Sequence, residues 1–569
     1  MKINFLRKAN TRIIWLVLAF FVVQNTQAQQ IPLRLLNHWD NLDGTIERGY
    51  AGHSIFFKDG DICYDNKRIE EYATINESFG INGAVINNVN ASPQILNSAK
   101  LKKIAGIADI FRRHGMKLYL SINFASPMVL DSLTTADPLD RSVRKWWTRK
   151  VNEIYSLIPD FGGFLVKANS EGQPGPMDFG RTHADGANML ADALAPHNGI
   201  VMWRAFVYAA NSPDRASQAY EEFVPLDGKF HDNVILQIKN GPIDFQPREP
   251  VSSLFFALKH TRMMPEFQIT QEYTGESIHT CYLASMWKEF FDTTTGIKFD
   301  GIAGVSNVGD ADNWCGNDLA IANWHAFGFM AQMPKIDISE LAKNFLSHYY
   351  TTDKHFIKPI TQLLLASHEA VVSYMMPMGL HHIFADGHHY GPAPWSAPKG
   401  VRVDWTPVYY HKADSIGLGF DRTVTGSNNI MQYPVHLQEY YTNVSSKNSL
   451  LLWFHHIPWR QKMDNGKTMW QNLCLTYDRG VKEAEGFVKT WESIKPFIDE
   501  KRYSAQLELF KRQAKDAWWW RDACLLYFQT FSKMPFPKGS PAPRHNLQEL
   551  MNYRLLMDNY TRADINKLP

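Results

Sequence analysis

The chain is predicted to be an α/β protein: a (β/α)8 TIM barrel followed by a mainly α-helical C-terminal domain. Three observations carry this expectation. Eight short apolar runs alternate with amphipathic helical stretches over about 300 residues, the signature of a parallel barrel. Those runs are near-continuously apolar, as parallel strands covered on both faces must be. Several finish in carboxylates, amides or Lys, groups that are costly to bury unless paired or set at an open strand end. A parallel α/β barrel has such an end, and enzymes of that fold keep their chemistry there.

In order, the candidate strands are Arg34–Asn41, Gly83–Val89, Lys117–Phe124, Gly163–Gly172, Val201–Tyr208, Val234–Asn240, Glu266–Tyr273 and Gly301–Gly309. Between the second and third, residues 94–114 place Leu96, Leu101, Ile104, Ile107 and Phe111 near helical spacing. Asp140 is a candidate cap for a helix reaching Ile158. These features assign residues 31–337 to the barrel. From 338 to 569 helical patterns dominate, including Ser339–Tyr350, Ile360–Tyr374 and Leu507–Phe528. Residues 376–404 are rich in Gly, Pro, His and Trp, and are expected to form a loop returning to the barrel mouth.

Hydrophobic content of 45% and charged content of 20% support ordinary globular cores. A net charge of +2 gives no broad electrostatic case for nucleic acid or an anionic membrane. Aromatic residues reach 13%, with 17 Trp, which suits flat sugar faces and large cores alike. Lys2, Arg7, Lys8 and Arg12 precede an apolar run from Ile13 to Val23, and Thr26-Gln27-Ala28 offers a cleavage point. Residues 1–28 therefore read as a secretory signal peptide, and the mature protein as exported, periplasmic or secreted. No later segment has the length of a membrane span. Five cysteines, without a CxxC spacing or a Cys/His setting, predict neither a disulfide framework nor a thiol nucleophile.

Chemistry-bearing residues gather at the strand ends. Lys167, Asn169 and Glu171 alternate in the fourth run, and a strand period of two would put all three on one inward face. Gly172 to Pro176 would then form a rigid turn holding Glu171 at the lip. Arg204 closes the fifth run. Lys239 closes the sixth, with Asp244 just beyond, and Glu272 closes the seventh. The plainer readings are an internal Lys–Glu pair and an Asp244 that pins its own loop. Three cations and three carboxylates around one rim instead suggest a site that binds an anion and moves protons, as glycoside cleavage requires. His381, His382, Asp386, His388 and His389 resemble metal ligands but match no standard zinc spacing. They and His455-His456 are read as hydrogen-bond donors or ring surface near the pocket, and Trp518-Trp519-Trp520 as core or interface.

The strings Leu35 to Asn41, Val166 to Pro176, Lys239 to Pro250, Gln268 to Gly275, Gly304 to Gly316 and His381 to Trp395 resemble glycoside hydrolase family 67, the α-glucuronidases. The resemblance implies an inverting hydrolase that removes α-1,2-linked 4-O-methyl-D-glucuronic acid from the terminal xylose of xylo-oligosaccharides. It implies Glu171 as general acid and Asp244 and Glu272 as the base pair. The same resemblance gives Lys167, Arg204 and Lys239 as the cradle of the uronate carboxylate, and Trp39 and Val89 as shaping the sugar and methyl pocket. Its implied partners are small acidic xylo-oligosaccharides; beside it, charge and spacing lead us to expect no cofactor, metal, nucleic acid or membrane, and a homodimer through the C-terminal helices is a further expectation. One departure stands out: family members usually carry a β-rich domain before the barrel, whereas here the barrel begins almost directly after the signal peptide, with every catalytic position retained. Two other classes stand beside this reading: a non-catalytic acidic-xylan-binding protein, and a metal-dependent barrel hydrolase using the His-rich loop.

Overall fold

The computed structural model describes residues 31–206, 212–385 and 389–552. The expected signal peptide, Tyr208, Asp386 and His388 lie outside the described residues.

Eight parallel strands close into a barrel: β1 Leu33–His38, β2 Gly83–Val85, β3 Lys117–Ile122, β4 Gly163–Val166, β5 Ile200–Arg204, β6 Val234–Lys239, β7 Met263–Gln268 and β8 Gly301–Ser306. They pair in sequence order, and β1 closes the ring against β8 through Leu33↔Gly301 to His38↔Ser306. Most of these strands end several residues before the apolar-to-polar runs expected from sequence. The polar tails run on beyond the strands and form the loops of the mouth.

Local signals explain the helices that cover the barrel. Asp65 caps Asn66–Phe79, and Gly80 ends it at φ 76°. Asn97 caps Ser98–Arg113. Asp140 accepts from the Ser142 and Val143 amides to start Arg141–Leu157, as its position suggested. Thr182 and Asp185 form a reciprocal capping box for His183–Leu194. After β6 the crossover holds only the one-turn helix Leu254–Ala257. The C-terminal region adds Ile338–Tyr349, Lys354–Met375, Met469–Ser493 and the 33-residue helix Glu500–Ser532, the last three packed against one another. Trp518, Trp519 and Trp520 are all buried, so this run is core. One continuous apolar cluster runs from barrel residues such as Leu36 and Phe267 into Trp470, Trp491 and Trp520.

Gly163 shows how tightly the wall is built. It opens β4 at φ 135°, and a Cβ there would lie 2.0 Å from the Ile200 carbonyl oxygen of β5. Gly163→Ala is expected to lower stability by about 1–3 kcal/mol or more, from backbone strain alone. Urea unfolding checks this through a shift in midpoint at unchanged slope.

Candidate active site

At the end of β4 the strand stops at Val166, so Lys167, Asn169 and Glu171 do not form the single extended row expected from their alternation. Asn169 and Glu171 adopt left-handed backbone at φ 51° and 48°, followed by Gly172 at 75°. The reversal turns Asn169 away from the mouth. Its Oδ1 accepts from the Met177 amide (3.0 Å) and its Nδ2 donates to Asp178 (2.9 Å). The same turn brings Glu171 back over Lys167, and the two form a direct ion pair. Lys167 is buried, and its Nζ also donates to Asn90 Oδ1 at 2.8 Å. Asn90 in turn donates to Glu47. Glu171 faces the open end, with its side chain 41% exposed. Burial pushes the Glu171 carboxyl up, but the Lys167 ammonium, helped by Lys239, outweighs it and holds the group below the ordinary glutamate value.

Two strands round the ring, the end of β6 has a second pair of the same kind. Lys239, the last residue of β6, forms an ion pair with Asp244 and stands 3.3 Å from the centre of the Phe206 ring and 4.7 Å from that of Phe245. Asp244 also accepts from the Tyr273 hydroxyl. Burial raises the Asp244 pKa, yet Lys239 and Arg215 more than reverse it, so the carboxylate is firmly ionised. Its loop hangs on Glu249, whose carboxylate accepts the amides of Ile243 (2.8 Å), Asp244 (2.9 Å) and Gln246 (3.0 Å).

Glu272 lies four residues past β7 and is buried. Arg48 Nε sits 2.7 Å and His389 Nδ1 2.6 Å from its Oε1, and Gln268 donates to Oε2 at 2.6 Å. Burial again pushes upward, but Arg48 and His389 hold this carboxyl down to about 2. Tyr273 stacks on His389 at 4.3 Å and, through its bond to Asp244, joins the two carboxylates into one network. Asp244 also acts electrostatically on both Glu171 and Glu272, so the three carboxylates share one field.

Arg204 reaches the same place, but already answered: Nε and Nη2 grip Glu266 of β7 at 2.9 and 2.8 Å, both side chains almost fully buried. Trp39 and Val89 follow the adjacent strands β1 and β2 and are buried, and Trp39 Nε1 has no hydrogen-bond partner among the described residues.

The histidines divide differently from a ligand cluster. His38 Nε2 meets the Tyr72 hydroxyl of a covering helix at 2.7 Å. His381 is packed against Trp453 and Tyr410. His382 lies 3.2 Å from both Gln246 Nε2 and the Trp405 carbonyl. His455 and His456 meet the carbonyls of Tyr441 and Gly419 within the C-terminal region. Among the described residues no group of three or more His, Cys, Asp or Glu side chains is arranged to hold a metal ion.

Sequence reasoning missed Arg48, Asn90, Arg215, Gln268 and Glu266 as members of this site. Glu266 and Gln268 carried a signal: polar groups inside an apolar strand demand buried partners.

Residues 19–314 match the family model described as the glycosyl hydrolase family 67 middle domain, and residues 315–541 match the glycosyl hydrolase family 67 C-terminus. The chain is 39% identical over 574 residues to a probable alpha-glucuronidase A of Aspergillus clavatus, an alignment covering 96% of this chain and 68% of that protein. It is 42% identical over 543 residues to alpha-glucuronidase A of Emericella nidulans, covering 89% and 63%. The chain thus spans about two thirds of the length of the curated relatives it matches. A solved mutant of Thermobaculum terrenum O-GlcNAc hydrolase aligns over 88% of this chain and 85% of its own, at 8% identity and a TM-score of 0.41, too distant to support an argument.

Arg204→Met should destabilise the fold by about 3–5 kcal/mol, because it strands the Glu266 charge in the barrel. Adding Glu266→Leu should recover most of that loss. A double-mutant cycle in urea measures both steps.

Proposed function

Because the chain belongs to glycoside hydrolase family 67, we propose that it is an α-glucuronidase: an inverting hydrolase that removes α-1,2-linked D-glucuronic acid, or its 4-O-methyl ether, from xylo-oligosaccharides. The observation that carries this reading is the matched pair of Lys–carboxylate couples, Lys167–Glu171 and Lys239–Asp244, facing one mouth. Each couple holds a cation that an anionic sugar can claim and a carboxylate that the chemistry needs.

In this reading Glu171 is the general acid and protonates the glycosidic oxygen. Water attacks the anomeric carbon from the opposite face, and Asp244 or Glu272 takes its proton. Both of these are held ionised by the cations around them, as a base must be. Charge develops on the ring as an oxocarbenium-like state, and no covalent sugar–enzyme bond forms. Trp39 and Val89 bound the sugar and its methyl ether. Arg204 adds positive potential beside the uronate, but with two of its donors committed to Glu266 it is the least free of the three cations. The leader read at residues 1–28 would carry the enzyme out of the cytoplasm to meet xylan fragments.

The lowering of the Glu171 pKa by Lys167 and Lys239 opposes its role, since a general acid must hold a proton. The uronate carboxylate resolves this. On binding it draws Lys167 and Lys239 to itself, which lets the Glu171 pKa rise and frees an oxygen of Asp244. A neutral sugar leaves both couples closed, so discrimination falls on kcat as well as on binding.

Two outcomes are expected. With aldouronic acids as substrate, NMR should detect the β-anomer of the uronic acid first, and Glu171→Ala should slow its release by about 10²- to 10⁴-fold while the fold persists. Release of the α-anomer, or no release at all, would refute the proposal. In pH profiles the basic limb of kcat, set by the substrate complex, should lie at higher pH than that of kcat/KM, set by the free enzyme. Coincident limbs would remove the substrate-driven shift.

A further inference from the structure

The contact between His389 and Glu272 joins parts of the chain that share no strand or helix. Glu272 stands in the loop after β7, and His389 lies beyond the C-terminal helix Lys354–Met375. The His389 segment is closed on itself by the antiparallel Phe384↔Pro392 bridge, and among the described residues no strand or helix links it to the Glu272 loop, yet they meet at 2.6 Å.

Both segments are tied to one buried side chain. Asp516, on the long helix Glu500–Ser532, is fully buried, and its Oδ2 receives both His279 Nε2, at 2.7 Å, and the Tyr390 hydroxyl. Its Oδ1 is bonded by Arg512 Nε at 2.8 Å. Tyr390 is the residue next to His389. His279 is seven residues past Glu272, and Gln271 Nε2 donates to its carbonyl at 3.1 Å, which binds the loop back on itself beside Glu272. On its other face His279 Nδ1 meets the Tyr374 hydroxyl at 2.9 Å. Two neighbouring fits reinforce the dock. Gln513, one turn earlier on the helix, accepts the Thr280 amide at 2.9 Å. A Cβ on Gly391 would lie 2.1 Å from the Trp519 ring, so the backbone after Tyr390 lies directly against the same helix.

A buried carboxylate with these partners contributes little net stability compared with apolar packing of the same volume. What it supplies is geometry. Two donors from two loops converge on a single oxygen, which fixes the loops relative to each other to within a hydrogen bond.

We propose that Asp516 is a positioning residue for hydrolysis: by holding Tyr390 and His279 together, it sets His389 against Glu272 and so fixes that wall of the site. The inference rests on the reading of Glu272 as part of the hydrolytic machinery. Asp516 lies under the wall, in the C-terminal region, and acts only through the two loops it joins.

The test uses the full chain with Asp516→Asn, Tyr390→Phe, His389→Gln and the double variant Asp516→Asn/His389→Gln. Asn keeps the shape of Asp516 but loses the charge and one acceptor. Phe removes only the Tyr390 hydroxyl. For both Asp516→Asn and Tyr390→Phe, kcat on aldouronic acids should fall about 10- to 100-fold per folded molecule, the scale of a small misplacement in an active site, with KM changed less than about two-fold. The double variant should be no slower than His389→Gln alone, since both changes break the same link. In the crystal structure of Asp516→Asn, the separation of His389 and Glu272 should exceed hydrogen-bonding distance. Unchanged kcat per folded molecule, a loss confined to KM, additive losses in the double variant, or His389 still seated on Glu272 would each overturn the proposal. If Asp516→Asn fails to fold, Tyr390→Phe decides by the same kinetics and by its own crystal structure. Should the wild-type chain hydrolyse no glucuronide, the proposed activity fails, and the crystallographic separation alone still judges the positioning role.

Discussion

A charge at the closed depth of a barrel cannot be left unanswered, and this constraint organises the whole mouth. The Arg204–Glu266 pair, spanning from β5 to β7 and nearly inaccessible to water, is its deepest instance. Above it the same rule is met three more times: Lys167 by Glu171, Lys239 by Asp244, and Arg48 with His389 by Glu272. Each pairing fixes a long side chain that would otherwise sample many rotamers. Pairing also decides which group is available to a ligand. Arg204 is held by two parallel bonds to Glu266, whereas each lysine is a compact charge with rotatable donors that an incoming anion can capture.

The covering region matters as much as the strands. The wall carrying Asp244 and Glu272 is completed from outside the barrel: Arg215 reaches Tyr410 and the Asp404 carbonyl, and Tyr273 stacks on His389. Strand ends supply the charged groups. Loops and distant helices set their angles. The Lys167–Glu171 side is different in kind, because both residues come from one short turn, tied outward through Asn90. The two sides of the mouth therefore differ in how much of the chain must be in place before they take shape.

The barrel was legible because its signals are local and repeated: apolar runs, helical periodicity, and caps such as Asp140 that do in the structure what their chemistry suggests. The proposed site residues were legible where polar groups interrupt an apolar run, as at Lys167 and Lys239. Alternation misled at Asn169, because two left-handed residues break the strand geometry on which it relies; Asn tolerates that backbone, but Glu171 gives no such signal. Arg48 and Arg215 were illegible for another reason. Each is one cation in an irregular loop, and its meaning lies wholly in a partner far along the chain. His389 was visible as part of a histidine cluster and Glu272 as a strand-end carboxylate, but their pairing across 117 residues was not.

The brief crossover after β6 has one more implication. Where a barrel of this type would lay a full helix, only Leu254–Ala257 is present, and the flank is shielded instead by segments from beyond residue 338. His368 meets the Pro247 carbonyl across that seam, and Ser367 accepts the Tyr282 amide from the next crossover, after β7. The eight strands and their own helices are thus not a self-sufficient unit. Trimmed to that unit, the polypeptide would bare a greasy side and unmet amides, and would clump rather than fold into a smaller catalyst.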